Sequence, residues 1–407
     1  MPSVRHRKCV NRYLKTHTMY LNKTILFYIA VTLFLAGCKK EKQTTAKDPA
    51  EECVESRSVK SGDIIAGRYI IAYNNTVNAR NMSFRSLEEK GQSVLQEYNI
   101  PVSRMQEVFG GEPGGFIATL SPEEVTSLKK DVSVSAIEPD RIIGLATCFT
   151  VAEPRLITWN IQRVGYGNGI GKKAWVIDTG IDFDHPDLTV DATQSRSFIT
   201  GVESARDENG HGTHVAGIIG GKNNSFGVLG VASGATLVSL RVLDAGGQGN
   251  LSSVIQALAY VNTNAKAGDV VNMSLGEDVT SSILIAQVQN TAARGIYIAI
   301  AAGNDAEPAN KFSPGNANGP NIYTVSAIDS LDRFASFSNY GNDVVDFAAP
   351  GVRILSTFSQ GRYAYLSGTS MAAPHLAGLL LLRGSAITTS GFAINDPDGA
   401  PDPIAHY

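Results

Sequence analysis

Two hydrophobic rhythms divide this chain. Between Gly67 and Asp140 short apolar runs alternate with amphipathic ones. GRYIIAY, MQEVF, GFIATL and VSAIEPD read as strands, SLEEKGQSVLQEY has helical spacing, and SPEEVTSLKK opens on a capping box at Ser121 and Glu124. The order β-α-β-β-α-β predicts a small ferredoxin-like α+β unit over residues 62–143. From about Trp159 the apolar runs become continuous: KAWVID, TLVSLRVLD, DVVNMSLG, IYIAIAAGN and NIYTVSAID alternate with HGTHVAGIIG, SSVIQALAYVNTNAKA, SILIAQVQNTAAR and TSMAAPHLAGLLLLR. Such strands between helices predict a parallel sheet covered on both faces, an α/β domain over 159–407. Its ligands belong at the carboxyl ends of the strands. Residues 144–158, with Cys148 and Pro154, read as a linker, and the Gly-, Pro- and Asp-rich tail after Arg383 is expected to be irregular.

The N-terminus follows a third pattern. Arg5, Arg7, Lys8, Arg12, Lys15 and Lys23 precede the apolar run ILFYIAVTLFLAG, which is 13 residues long. That is short of the ~20 residues a membrane-spanning helix needs, and it fits the core of a secretory signal over 1–37. Its end, Leu35-Ala36-Gly37-Cys38, resembles the lipobox of bacterial lipoproteins, which implies lipidation at Cys38 and a membrane partner. Met19 offers an alternative start. The polar stretch 38–61 reads as a solvated tether. Removal of the leader at Cys38 leaves Cys53 and Cys148, either as two free thiols or as one disulfide in an oxidising compartment.

Charge sharpens this division. Residues 1–60 carry a net +7 and the remainder a net −10, although the whole chain is only −3. With 43% hydrophobic and 18% charged residues over 407 positions, the chain is globular, with room for two or three folded units. The balance excludes a disordered chain, a coiled coil and a polybasic nucleic-acid binder.

Three segments carry the chemistry. VIDTG puts Asp178 after a buried strand, GHGTHVAG puts His211 at a helix start, and SGTSMAAPH puts Ser370 at another. A serine hydroxyl is a weak nucleophile until a base removes its proton, and a buried carboxylate fixes the tautomer of that base. Ser370 at a helix N-terminus has unbonded N–H groups and a positive dipole end beside it, with Pro374 expected in the first turn. AAGND puts Asn304 after a further strand, where its amide joins the Ser370 N–H as an oxyanion donor. His211 and His214 lack the HExxH pattern of a zinc protease. An α/β-hydrolase elbow would need Gly where Ala372 stands. His214, His375 and His185 read as structural.

VIDTGIDFDHPDL, NGHGTHVAG, VVNMSLG, AAGN and SGTSMAAPHLAG, in that order, make residues 156–383 resemble the catalytic domain of subtilisin-like serine proteases, with features of the proteinase K relatives in NKFSPG. The resemblance implies a three-layer, parallel-sheet α/β domain and a serine endopeptidase with Asp178, His211, Ser370 and Asn304 in the catalytic roles. It implies peptide substrates paired as an added strand between Ser274-Leu275-Gly276 and Gly247-Gln248-Gly249. The pocket for the residue before the cut would be walled by Ser274–Gly276 and Ala301–Asn304, with Phe312 near its floor and a preference for apolar or aromatic residues. Residues 62–143 resemble the inhibitor-type propeptide of the same family, which implies a self-processed zymogen cut between 143 and 156. KNNSFGVLGVA resembles the family's calcium loop: Asn224, Asp187 and the carbonyls of Lys222, Phe226 and Val228 would hold a structural calcium, and catalysis itself needs no cofactor. The competing expectation is a surface lipoprotein that keeps the protease fold without activity or under permanent inhibition.

Overall fold

Val, Ile and Ala runs that bury on both faces build the central sheet. From one edge its strands are Arg196–Ser197, Thr236–Arg241, Lys173–Asp178, Val270–Met273, Tyr297–Ala301, Ile322–Ile328, Val345–Pro350, Pro403–His406 and Thr388–Phe392, with Thr189–Val190 beside Thr236 and Leu237. Neighbours are parallel up to Pro403–His406, and the last pair is antiparallel. The computed structural model describes residues 52–54, 62–74, 77, 79–144, 147–151 and 157–407. The secretory signal, Cys38 and most of the tether lie outside the described residues, as do 145–146 and 152–156 of the linker.

Alternation on a single strand sorts the core into two layers. Ala174 and Val176 face the helices His211–Gly220 and Thr369–Arg383. Trp175 and Ile177 face Leu251–Asn264 and Ser282–Ala292. The three-layer α/β arrangement is therefore the predicted one. From Lys173–Asp178 the chain moves to Thr236–Arg241 on one side and then to Val270–Met273 on the other. The crevice between those directions is where an open α/β sheet places its ligand.

The N-terminal unit has the expected order: Ile64–Tyr73, Phe84–Glu97, Met105–Phe109, Gly115–Thr119, Pro122–Leu128 and Val134–Gly144. Its sheet runs 134–144, 64–73, 115–119, 105–109, all antiparallel. One face buries its own helices through Tyr73, Leu87, Leu95, Phe116 and Leu128. The other, through Ile70, Phe109, Ile117 and Ile143, joins the core of the α/β unit. Two carboxylates two apart on strand 134–144 fix the seating. Glu138 accepts from Ser281 Oγ (2.6 Å) and Ser282 N–H (2.9 Å) at the start of one helix, and Asp140 from Ser252 Oγ (2.7 Å) and N–H (3.1 Å) at the start of the other. Arg68 pairs with Asp140 at 2.7 Å. Anions at helix N-termini meet unbonded N–H groups and the positive end of the dipole.

Three expectations need correction. The tail is ordered: Pro403–His406 extends the main sheet, with Ile404 and Ala405 fully buried. The linker contains a strand, Thr147–Val151, paired with Arg362–Leu366 on one side and with Glu52–Val54, inside the presumed tether, on the other. Strands this short take their order from their partners, which composition does not display. Pro374 falls in the second turn of its helix, with a consequence at the site described next.

Candidate active site

Asp178 ends the strand Lys173–Asp178 fully buried, and accepts from the Thr179 N–H at 2.7 Å. His211 opens its helix with Nδ1 at 2.8 and 3.0 Å from the two Asp178 oxygens. The carboxylate therefore holds the proton on Nδ1 and leaves the Nε2 lone pair outward. A Cβ at Gly212 would lie 2.1 Å from the Gly180 carbonyl oxygen, so only glycine lets this helix start approach the aspartate so closely. Nε2 is buried and makes no hydrogen bond among the described residues.

Ser370 is the second residue of helix Thr369–Arg383 and is 5% exposed. Its hydroxyl donates to the Ser274 carbonyl at 3.2 Å rather than to His211, so the structure joins the aspartate to the histidine but shows no bond from histidine to serine. Pro374 has no N–H to offer the Ser370 carbonyl four residues back. The Ser274 hydroxyl takes that acceptor at 2.7 Å, itself accepting from Asn272 Nδ2 at 2.9 Å. Asn304 Oδ1 accepts from the Thr369 N–H (2.8 Å) and Oγ1 (3.1 Å), which leaves the Nδ2 hydrogens as the side of the amide available to an oxyanion. A Cβ at Gly368 would lie 3.6 Å from both Asn304 amide atoms and from Ser370 N, so its absence keeps that space open.

Of the expected substrate strands, Gln248–Asn250 carries an added strand: Gln248, Gly249 and Asn250 lie opposite Gly144, Ile143 and Ile142. Gly247 turns the chain just before it with φ at +74°. Ser274, Leu275 and Gly276 follow the strand Val270–Met273, and among the described residues they pair with no added strand. Glu277 bridges Ser313, bringing the buried Phe312 next to this segment.

In the loop expected to hold calcium, Asp187 sits against Asn224 and Val228. Asp187 is fully buried; its Oδ1 accepts from Asn224 Nδ2 at 2.7 Å and its Oδ2 from the Val228 N–H at 2.7 Å. The Lys222 N–H donates to the Asp187 carbonyl, and Phe226 N–H to Asn224 Oδ1. Burial pushes the Asp187 carboxyl upward. His214, His375 and His185 are held in hydrogen bonds within the fold: His214 Nε2 donates to the Ile354 and Ala364 carbonyls, and burial holds its pKa down at about 3. His375, at about 4 for the same reason, links Asn160 to the Met371 carbonyl, and His185 donates to the Arg362 carbonyl.

Sequence reading missed Asp207. Its buried carboxylate accepts from Thr179 Oγ1, the N–H groups of Asn209 and Gly210, and both the N–H and Oγ1 of Thr213. Thr179 Oγ1 in turn accepts from the Gly212 N–H, so Asp207 ties the loop after Asp178 to the helix that begins at His211. The signal was an Asp four residues before a helix start.

A model of the subtilase family (peptidase S8) matches residues 170–389. Alkaline serine protease ver112 of Corniculantispora psalliotae is 34% identical over 334 residues, 77% of this chain and 79% of that protein. Subtilisin NAT of Bacillus subtilis subsp. natto is 36% identical over 364 residues, 88% of this chain and 87% of that one. A crystal structure of a cold adapted subtilisin-like serine proteinase superposes with a TM-score of 0.54 at 33% identity, over 62% of this chain and 98% of that chain. An aspartate, a histidine and a serine in subtilisin order around the crevice of a parallel sheet, with relatives along most of the chain, place it in the subtilase family as a subtilisin-like serine protease.

Proposed function

We propose that the chain is the zymogen of a self-processing serine endopeptidase, exported and held at a membrane by lipid on Cys38. The observation that carries the catalytic reading is the buried Asp178–His211 pair, together with Ser370 at a helix N-terminus. Catalysis begins when the Ser370 hydroxyl exchanges its bond to the Ser274 carbonyl for one to the free Nε2 of His211. Nε2 takes the proton as Oγ attacks the scissile carbonyl, and Asp178 stabilises the resulting imidazolium. The oxyanion is met by the Ser370 N–H and Asn304 Nδ2. His211 then protonates the departing amine, and a water repeats the sequence on the acyl-enzyme.

The N-terminal unit is the inhibitor. Its last strand occupies Gln248–Asn250 as a substrate would, by strand addition. The chain resumes along Arg362–Leu366, with Phe149 opposite Leu366, four residues before Ser370. The processing bond on this reading lies between Gly144 and Thr147. Pairing through backbone is tolerant of sequence, which supports broad cleavage with apolar or aromatic residues before the cut; a library profile dominated by Arg or Lys would overturn that. Asp187, Asn224 and the carbonyls of Lys222, Phe226 and Val228 would hold calcium, whose charge would offset the buried carboxylate in place of the N–H bonds that Asp187 and Asn224 now accept. Chelation should lower the melting temperature, and no shift would refute the site.

Fluorophosphonate labelling with mass spectrometry tests the whole reading. The adduct is expected on Ser370 and a new N-terminus at 145–147. Ser370→Ala should abolish both and lower kcat by roughly 10⁶, a magnitude taken over from subtilisin. Label elsewhere, or none on an active preparation, would overturn it.

A further inference from the structure

The chain has four cysteines, and on the export reading proposed above Cys9 and Cys38 belong to the leader and the lipidation site. The other two meet in the fold. In the antiparallel pair formed by Glu52–Val54 and Thr147–Val151, Cys53 lies opposite Cys148, between Glu52 opposite Phe149 and Val54 opposite Thr147. Directly opposed residues of such a pair share a face of the sheet, with Cα atoms about 4.5 to 5.5 Å apart. A disulfide requires about 4.4 to 6.8 Å. A register one residue off would put the two positions on opposite faces.

We infer that Cys53 and Cys148 form a disulfide that spans the processing bond and keeps the two halves of the cut zymogen covalently joined. This rests on the zymogen reading above for the place of the cut. Cleavage between Gly144 and Thr147 leaves Cys53 on the inhibitory fragment and Cys148 within the first residues of the peptidase. The bond forms by two exchanges with an oxidant of the disulfide class in the exported compartment. One cysteine thiolate attacks the oxidant and forms a mixed disulfide, and the second displaces the oxidant as its dithiol. Two electrons and two protons thus leave the cysteines for the oxidant.

A severed inhibitor held by such a link stays at high effective concentration over the cleft. Inhibition then outlasts the cut, and full activity requires either reduction or a second cleavage after Cys148. The same link keeps the peptidase attached to any anchor upstream of Cys53.

The test uses the full chain with free thiols blocked before any reductant is added, followed by peptide mapping and electrophoresis with and without reductant. The expected result is a Cys53–Cys148 peptide, two fragments that separate only on reduction, and peptidase activity that rises on reduction. C53S and C148S, made separately, should release the fragment without reductant. A cut chain with both cysteines alkylated, or with either one joined to Cys9, Cys38 or a second chain, overturns the crosslink and leaves the zymogen reading standing. An uncut chain carrying the Cys53–Cys148 bond overturns the zymogen reading while supporting the crosslink, so the two failures are distinguishable. The wild-type map needs no variant to fold.

Discussion

The carbonyl of Ser370, the proposed nucleophile, shows how one residue can depend on another about a hundred positions away. Proline six residues into helix Thr369–Arg383 leaves the Ser370 carbonyl without its helical donor, and Ser274, at the end of a central strand, supplies a hydroxyl in its place. Ser274→Ala should therefore strand a buried acceptor, at a cost of about 1–3 kcal/mol, and lower kcat more than it raises KM, because the displaced backbone also carries an oxyanion donor. Denaturation of the S370A background measures the first effect and steady-state kinetics the second. In a P374A background the restored N–H can bond that carbonyl, so the S274A penalty should shrink; equal penalties in both backgrounds would refute the account. Asn304→Ala should cost about 10²–10³ in kcat, a magnitude that comes from subtilisin. Part of that loss belongs to the Thr369 N–H that Asn304 also caps.

At the scale of elements, legibility tracked how much of each element's order lay in its own residues. The helices that carry His211 and Ser370 and the strands Lys173–Asp178 and Ile322–Ile328 are long and apolar, and their patterns located them. Asp178, His211 and Asn304 could be placed because each sits at the end of such an element. The hairpin Ile354–Phe358 with Arg362–Leu366 was missed, although Ser359-Gln360-Gly361, with φ positive at Gln360 and Gly361, carries a turn signal. Glu52–Val54 could not have been read from its own three polar-flanked residues, since its partner lies far along the chain. The C-terminal strand was hidden in a Pro- and Asp-rich tail, yet it extends the sheet beyond Val345–Pro350. Asp402, one residue before it, accepts from Ser326 Oγ at 2.6 Å. Ile404→Ala, at a fully buried position of that strand, should destabilise the protein by about 2–5 kcal/mol in chemical denaturation. Fluorophosphonate labelling of the folded fraction should be unchanged, because the strand lies next to the edge of the sheet, beyond Val345–Pro350.

For the molecule as a whole, the seating of the N-terminal unit on the peptidase is expected to depend on pH through Glu277. This side chain follows the Ser274–Gly276 segment, is 2% exposed, and has both carboxylate oxygens buried without a hydrogen bond among the described residues. Burial pushes its carboxyl up to about 8; Arg141 and the nearby Gly62 backbone N–H pull it down, while Asp140 and Asp63 push it further up. All three charged neighbours, and Gly62 packed close to Oε2, belong to the N-terminal unit. Glu277 is thus protonated in the assembled chain across a range where a solvated glutamate is ionised. A folded pKa raised above the unfolded one gives stability that is complete below about pH 4.5 and is lost as pH climbs towards 8. Alkaline conditions should therefore loosen the N-terminal unit from the peptidase domain, and acid should hold it in place. The uncut S370A chain should show a melting temperature that falls between pH 5 and 8, and Glu277→Gln should flatten that fall while raising stability most at pH 8. Asp346 and Asp402, raised by burial to about 6 and 7, add slope to both proteins and cancel in the comparison. Parallel curves for the two proteins would show that Glu277 is not the group that couples proton binding to the seating of the N-terminal unit.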